Sequence, residues 1–401
     1  MTNKKAPNKY LFPLIVMAAL FFLLGFITTM NNSMINFLKD AFKLGDVAKQ
    51  LPNTFFYGAY ILSVPVGFLI NKIGYKKGVL GGLAMIVLGF IVCIPAVALG
   101  YYQFLCGVSV FAIGIVMLQV AANPYVNALG SPETAASRLT LTNALNSVAT
   151  VIAPIFVSLL IVTDTSDPKA VQGPFGIIGG ITLVILVVMF FLKLPEIKGT
   201  EEVDSTGKTK TYKGSAFNYT HMWLGSLAIF FYMGIEIGIP SFFADYSRSS
   251  LGINYSSMEV TSMLKYYWGG LMVGRLLGIF ILQKYSARQL LIICSLGGAI
   301  LVAGSLAIGA SASTVALWAF LGTGLFHSIM WPTIYNLALE DLGPHAKIGS
   351  GVIATSVIGA ALLTPMMGAI QRSAGLTIAI CCLLFYYAYL VFFAAKGSKI
   401  R

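Results

Sequence analysis

The chain is dominated by apolar runs of about 20 residues, the length a helix needs to cross the hydrocarbon core of a bilayer. Such runs fall at 11–38, 52–71, 78–98, 102–129, 138–163, 173–193, 221–246, 259–283, 288–309, 313–339, 347–371 and 374–395, twelve in all. In lipid every backbone N–H and C=O must find a partner inside the protein, so unalternating runs of this length are read as helices. The charge content agrees, since only 10% of the 401 residues are charged. That is too few to cover a water-facing surface, which in soluble chains takes about 25%. The 41 glycines suit membrane helices that approach one another closely. The opening run follows Lys4, Lys5 and Lys9 as in a signal peptide. It is too long for one and is read as a retained first span.

Most connections are short, and one is not. Residues 194–219, "LPEIKGTEEVDSTGKTKTYKGSAFNY", are rich in Lys, Glu, Gly and Thr and nearly free of apolar side chains. They are read as a linker between a six-helix bundle at 1–193 and a second at 220–401. The net charge of +12 comes from Lys and Arg in the short loops, where they set orientation rather than bind nucleic acid. Their excess on the side of the termini predicts that both termini and the linker are cytoplasmic, in a bacterial-type inner membrane. The five cysteines lie inside apolar runs with no C-x-x-C, and are read as packed thiols.

The two halves are related. A shift of 208–211 residues carries Gly67 onto Gly278, Gly114 onto Gly324, Pro124 onto Pro332 and Pro154 onto Pro365. A repeat with an even number of spans is parallel, about an axis along the membrane normal, and places a substrate site near mid-membrane between the halves. The expected fold is therefore all-α, with twelve transmembrane helices in two pseudo-symmetric six-helix bundles.

Polar residues inside the spans are the candidates for that site. In "GIVMLQVAANPYVNALG", residues 114–130, Gln119, Asn123 and Asn127 recur every fourth position and form one stripe on a helix. Pro124 leaves the Val120 carbonyl without its helical donor, and Pro332 does the same to Ser328. Freed groups of this kind survive in lipid where they face protein or a water-filled cavity. Under the 208-residue shift the amide stripe falls on His327, Trp331 and Tyr335. Amides facing aromatics suit a sugar, with hydrogen bonds to hydroxyls and stacking on the apolar ring face. Asn32 in the first span and Asn143 and Asn146 in the fifth join the set, and Trp268 or Trp331 is the expected stacking partner. The alternative for any one amide is a bond to a neighbouring helix.

Charges inside the spans are costly and mark function. Glu236 lies midway along the seventh span in "FYMGIEIGIPSFF", with Pro240 four residues on, so its own carbonyl also loses its helical donor. It is the candidate for cation coupling, by carrying H⁺ or ligating Na⁺, with His327 in reserve for a proton route. A structural hydrogen bond from a neutral acid, and a satisfied core histidine, are the alternatives. The loop "GFLINKIGYKKG" contributes Lys72 to an expected cytoplasmic gate, together with Arg275, Glu133, Arg138, Asp341 and Lys347. No metal site is identified beyond a Na⁺ site at Glu236, and no resident cofactor is expected.

Taken together, "LQVAANPYVNALG", "SRLTLTNALNSV", "GIEIG", "YYWGGLMVGR" and "FHSIMWPTIYNLALEDLG" resemble the fucose permease and glucose/galactose transporter family of the major facilitators, over nearly the whole chain. The glucose/galactose branch is the nearer, with Gln at position 119 and Glu at 236. The two coupling carboxylates of the fucose permease branch are replaced here by Asn32 and Gln119. The resemblance implies a sugar contact for Asn146 and favours Na⁺ as the coupling ion. Asn143 and His327 depart from the family pattern, which has Gln and Asn there. The expectation is a monomeric importer of a monosaccharide by cation-coupled symport, with a uniporter as the nearest alternative. An enzyme would need carboxylate pairs, metal-ligating clusters or a phosphate loop, and a sugar sensor would need a signalling domain.

Overall fold

The computed structural model describes residues 10–33, 42–43, 51–160, 169, 172–194, 212, 214–255 and 257–400. Within these, the side chains of 32–33, 53, 154–155, 157–160, 257–258 and 260–261 lie outside the description, so the expectation for Asn32 does too. Two compact units divide the chain, Met1–Glu201 and Glu202–Arg401.

Among the described residues the helices form twelve rods. In the first unit these are α1 (Leu11–Ser33), the pair α2 (Leu51–Gly58) and α3 (Ser63–Ile73), α4 (Tyr75–Leu99), α5 (Tyr101–Ala128), α6 (Ala135–Leu160) and α7 (Gln172–Phe191). The second unit holds α8 (Thr220–Asp245), α9 (Ser257–Lys284), α10 (Ala287–Ile308), the pair α11 (Ser313–His327) and α12 (Met330–Leu339), the pair α13 (Ala346–Thr355) and α14 (Gly359–Ala374), and α15 (Leu376–Ala395). Nine segments of the described residues are long and apolar enough to cross a membrane, and one of them, Ala287–Leu339, takes in two rods.

Three rods expected to be continuous are interrupted. Between α2 and α3 runs a 3₁₀ turn, Ala59–Leu62, just ahead of Pro65, which cannot donate to the carbonyl of Ile61. The tenth rod breaks at residues 328–329, where Pro332 denies Ser328 its donor. The eleventh narrows to a 3₁₀ turn over Ser356–Ile358. There the backbone passes so close to α8 that a Cβ on Gly359 would stand 2.2 Å from the Phe230 carbonyl.

Small residues set the helix crossings in each unit. Along the α4–α5 seam a Cβ on Gly89 would lie 2.4 Å from the Phe111 nitrogen, and one on Gly114 would lie 2.7 Å from the Gly82 carbonyl. In lipid there is no hydrophobic drive between helices, so this close backbone approach is what dispersion needs to hold them together. Polar staples close the loop ends of the first unit. Lys76 Nζ donates to the Phe190 carbonyl at the end of α7, 3.1 Å away. Arg138 grips the end of α5, with Nε to the Val126 carbonyl at 3.2 Å and a second nitrogen to the Asn127 carbonyl at 2.6 Å.

Candidate functional site

In the first unit the amide stripe lies along α5 as expected, and it is poorly satisfied. Asn123 is 2% exposed and its Oδ1 has no hydrogen-bond partner among the described residues. Oδ1 of Asn127 is in the same state, as is Nδ2 of Asn31 on α1, also 2% exposed. Gln119 is half-buried and takes up the Tyr60 hydroxyl of the 3₁₀ turn. A buried amide oxygen or N–H without a partner costs about 1–3 kcal/mol, so two oxygens and one nitrogen on two helices of one bundle call for a polar occupant. The fifth-span amides behave otherwise. Asn146 donates to the Phe21 carbonyl of α1 at 3.0 Å, and Gly25 packs directly against it. Asn143 donates to the Leu139 carbonyl of its own helix at 2.8 Å. Both donors are thus spent on backbone, in the helix-bonding manner open to any amide in lipid.

The aromatic stripe of the second unit does not survive as one face. Because α11 ends at His327 and α12 starts at Met330, a spacing of four across the break no longer repeats one direction. His327 is fully buried within its own bundle, with Nδ1 2.8 Å from the Tyr267 hydroxyl and Nε2 against the Tyr387 hydroxyl. Tyr335 is also fully buried and donates to Ser350 Oγ at 2.7 Å. Trp331 stacks on it, with ring centroids 5.0 Å apart and planes at 13°. Trp268 is 39% exposed and meets Tyr267 edge-on.

Glu236 sits in a polar knot that the sequence reading did not assemble. Its carboxylate is 3.9 Å from Arg275 of α9, with the two side chains 13% and 10% exposed. Arg275 Nε also donates to the Ser328 carbonyl at 3.3 Å, the group that Pro332 frees. The Glu236 carbonyl, freed by Pro240, accepts from the Tyr267 hydroxyl at 2.9 Å. Tyr232, one turn before Glu236, donates to the His327 carbonyl at 3.1 Å. The carbonyls freed by Pro240 and Pro332 therefore each have a side-chain donor, as a dry interior requires. Arg275 was expected at a cytoplasmic gate, and the structure pairs it inside its own bundle. A signal was available: Arg275 is an arginine inside a predicted span, and such a charge needs a carboxylate near it.

The other expected gate residues lie at loop ends. Arg138 also donates to the Ser131 carbonyl at 3.0 Å and to Thr134, which ties the α5–α6 turn together. Glu133 is exposed in that turn, and hydrogen bonds from its own backbone amide and from Ser131, with Arg138 adding, hold its carboxyl below the usual range. Lys72 is exposed at the end of α3. Asp341 follows α12 with a positive φ of 63°, and Lys347 is half-buried at the start of α13. A staple that the sequence reading missed stands beside them. Arg288 pairs with Glu340 and donates through Nε to Ser398 Oγ at 3.1 Å, while His221 Nε2 donates to the Glu340 carbonyl at 2.7 Å. Among the described residues no group of three His, Cys, Asp or Glu side chains is placed to hold a metal ion.

Two helical units of apolar rods thus carry buried polar groups, unsatisfied amides in one and a charged knot beside proline-freed carbonyls in the other. The chain belongs to the Major Facilitator Superfamily, whose sequence pattern matches residues 17–365. It is 36% identical to a glucose/galactose transporter of Brucella abortus, covering 99% of this chain and 97% of that one. It is 37% identical to a putative glucose/galactose transporter of Helicobacter pylori, covering 96% of each. A crystal structure of the Escherichia coli fucose:proton symporter superposes with a TM-score of 0.86, at 26% identity over 97% of this chain and 99% of that one.

Proposed function

We propose that this protein imports a monosaccharide, a hexose such as glucose, galactose or mannose, across the inner membrane by symport with a cation. Alternating access moves the two bundles around a sugar held near mid-membrane. The observation that carries the reading is the set of unpartnered buried amides, Asn31, Asn123 and Asn127, beside Gln119. They offer one donor and two acceptors, the complement of vicinal sugar hydroxyls, which both donate and accept. The likeness to glucose/galactose transporters over nearly the full chain supports a hexose.

Glu236 is the coupling group in this reading. The guanidinium 3.9 Å from its carboxylate supports the proton over Na⁺. Either cation takes the pair from neutral to a net positive charge, but Na⁺ must also gather several oxygen ligands beside the guanidinium, whereas a proton binds a single carboxylate oxygen. Likeness to a fucose:proton symporter points the same way. Both termini and the linker face the cytoplasm, and one chain forms the transport unit.

The test uses purified protein in liposomes, with labelled glucose, galactose, mannose and fucose, under an inward pH gradient, an inward Na⁺ gradient, or neither. Accumulation of a hexose above equilibrium with the pH gradient alone is the expected result. Equilibration without accumulation under either gradient would make the protein a uniporter, and failure to move any sugar would overturn the reading.

A further inference from the structure

We propose that His327 is a positioning residue, locked as the neutral Nδ1–H tautomer by a one-way chain of hydrogen bonds that fixes the proline-containing helix carrying Glu236. This goes beyond the transport reading and rests on it only for the uptake measurements below.

The direction of the chain follows from what each atom can do. A backbone carbonyl only accepts, so the Tyr267 hydroxyl must spend its one proton on the Glu236 carbonyl, 2.9 Å away. The same oxygen stands 2.8 Å from His327 Nδ1, and with its proton committed it can only accept there. Nδ1 therefore carries the hydrogen. A neutral imidazole has one N–H, so Nε2 accepts, and the Tyr387 hydroxyl donates to it. The chain runs from Tyr387 on α15 through His327 on α11 and Tyr267 on α9 to the carbonyl of Glu236 on α8. Tyr232 returns from α8 to the carbonyl of His327 itself.

The charges around the ring agree with a neutral state. The groups of the knot are Tyr232 and Glu236 from α8, Tyr267 and Arg275 from α9, and Tyr387 from α15. Arg275 already supplies a positive charge and is bonded to the carbonyl of the next residue, Ser328. A second proton on His327 would leave Nε2–H facing a hydroxyl that must turn its own hydrogen elsewhere. Among the described residues the Tyr387 hydroxyl has no hydrogen-bond acceptor other than His327.

The geometry also explains why four rods meet at this level. Pro240 and Pro332 each free a carbonyl, with α8 continuing through Pro240 and the tenth rod breaking ahead of Pro332. The chain ties the freed α8 carbonyl to α9, α11 and α15, and Gly324 allows it, since a Cβ there would stand 2.2 Å from the Tyr267 carbonyl. The direction in which α8 presents the Glu236 carboxylate to Arg275 is thereby set.

The first test needs no transport. Full-length protein carrying ¹³C,¹⁵N-histidine is studied in lipid nanodiscs, with His327 assigned by difference against His327→Asn. The expected signature is a protonated Nδ1 and an unprotonated Nε2, unchanged from about pH 5 to about 8, the range in which a free histidine titrates. An Nε2–H tautomer, or titration within that range, would overturn the proposal whatever the protein transports.

The second test separates positioning from proton carriage. An Asn amide at 327 can still donate toward Tyr267, and a Leu cannot. His327→Leu should lower gradient-driven sugar accumulation about 5- to 30-fold, the effect of stranding one buried partner. His327→Asn should restore most of it with the same ion dependence. Tyr267→Phe keeps the ring and removes the hydroxyl, so it should reproduce the loss even where His327→Leu fails to fold. Exchange without accumulation in His327→Asn would make His327 the proton carrier. Full accumulation in both His327→Leu and Tyr267→Phe would refute a positioning role.

Discussion

Replacing Arg275 with Ala should destabilise the second bundle more than replacing Arg275 and Glu236 together. At 3.9 Å and an effective dielectric of about 20, the attraction between the two charges is about 4 kcal/mol. Their side chains are 10% and 13% exposed, so water recovers little of it. Removing one partner of such a pair leaves a stranded charge and costs about 3–5 kcal/mol. Part of that cost is the Ser328 carbonyl, which loses its donor in Arg275→Ala and which Pro332 already denies a helical bond. The double variant Arg275→Ala/Glu236→Gln removes the stranded carboxylate and keeps only the carbonyl defect, about 1–3 kcal/mol. The pair should therefore be non-additive, with the double variant more stable by about 2 kcal/mol. The second unit spans Glu202–Arg401. For a domain of that size each kcal/mol moves the melting temperature by about 2–4 °C, so Arg275→Ala should melt roughly 6–20 °C below the parent. The assay is the fraction of detergent-solubilised protein that stays monodisperse after heating. Arg275→Lys should rescue poorly, because an ammonium cannot bridge carboxylate and carbonyl as the planar fork does. A double variant that melts with Arg275→Ala, or below it, would refute the pairing.

Gln119→Ala and Asn123→Ala should each weaken hexose binding about ten-fold or more, as the loss of a buried hydroxyl partner implies, measured by titration calorimetry or counterflow. Near-parent affinity in both would remove the sugar assignment from α5. Asn146→Ala should instead lower stability through the lost bond to Phe21, with a smaller effect on affinity. Glu236→Gln should mimic the protonated state, so that sugar still binds and exchanges while accumulation driven by a pH gradient fails; continued uphill uptake would eliminate Glu236 as the coupling group. Arg138→Ala should lower the melting temperature by freeing the Val126 and Asn127 carbonyls, at a cost of about 1–3 kcal/mol, and Arg138→Lys should restore little of it. With the exposed native Cys106 and Cys381 replaced, a cysteine at Lys208 should be shielded from an impermeant thiol reagent outside the cell and one at Ser166 should react. The reverse pattern would invert the topology.

The number and placement of the rods were legible in the chain because they depend on local quantities. Twenty apolar residues match a bilayer, and a proline removes a known donor four residues back, so the freed carbonyls at Glu236 and Ser328 follow from residue order alone, whereas the breaks near Pro65 and Pro332 appear only in the structure. The α5 amide stripe was legible for the same reason, as a period of four on an uninterrupted helix. The 208-residue repeat carried that logic to His327, Trp331 and Tyr335, and there it failed. The helix breaks between the first two of these, and a broken helix does not conserve a face. What filled the freed carbonyls was not legible either. Arg275, Tyr267 and Tyr232 could be read as polar residues in apolar spans, but which of them meets Glu236 depends on which rods pack together and at what depth. In an interior without water, each buried donor must go to an acceptor within about 3 Å, and only the tertiary arrangement determines which acceptor that is. Asn146 turned to the α1 backbone and His327 to two tyrosines for that reason, although each carries side-chain chemistry suited to a sugar.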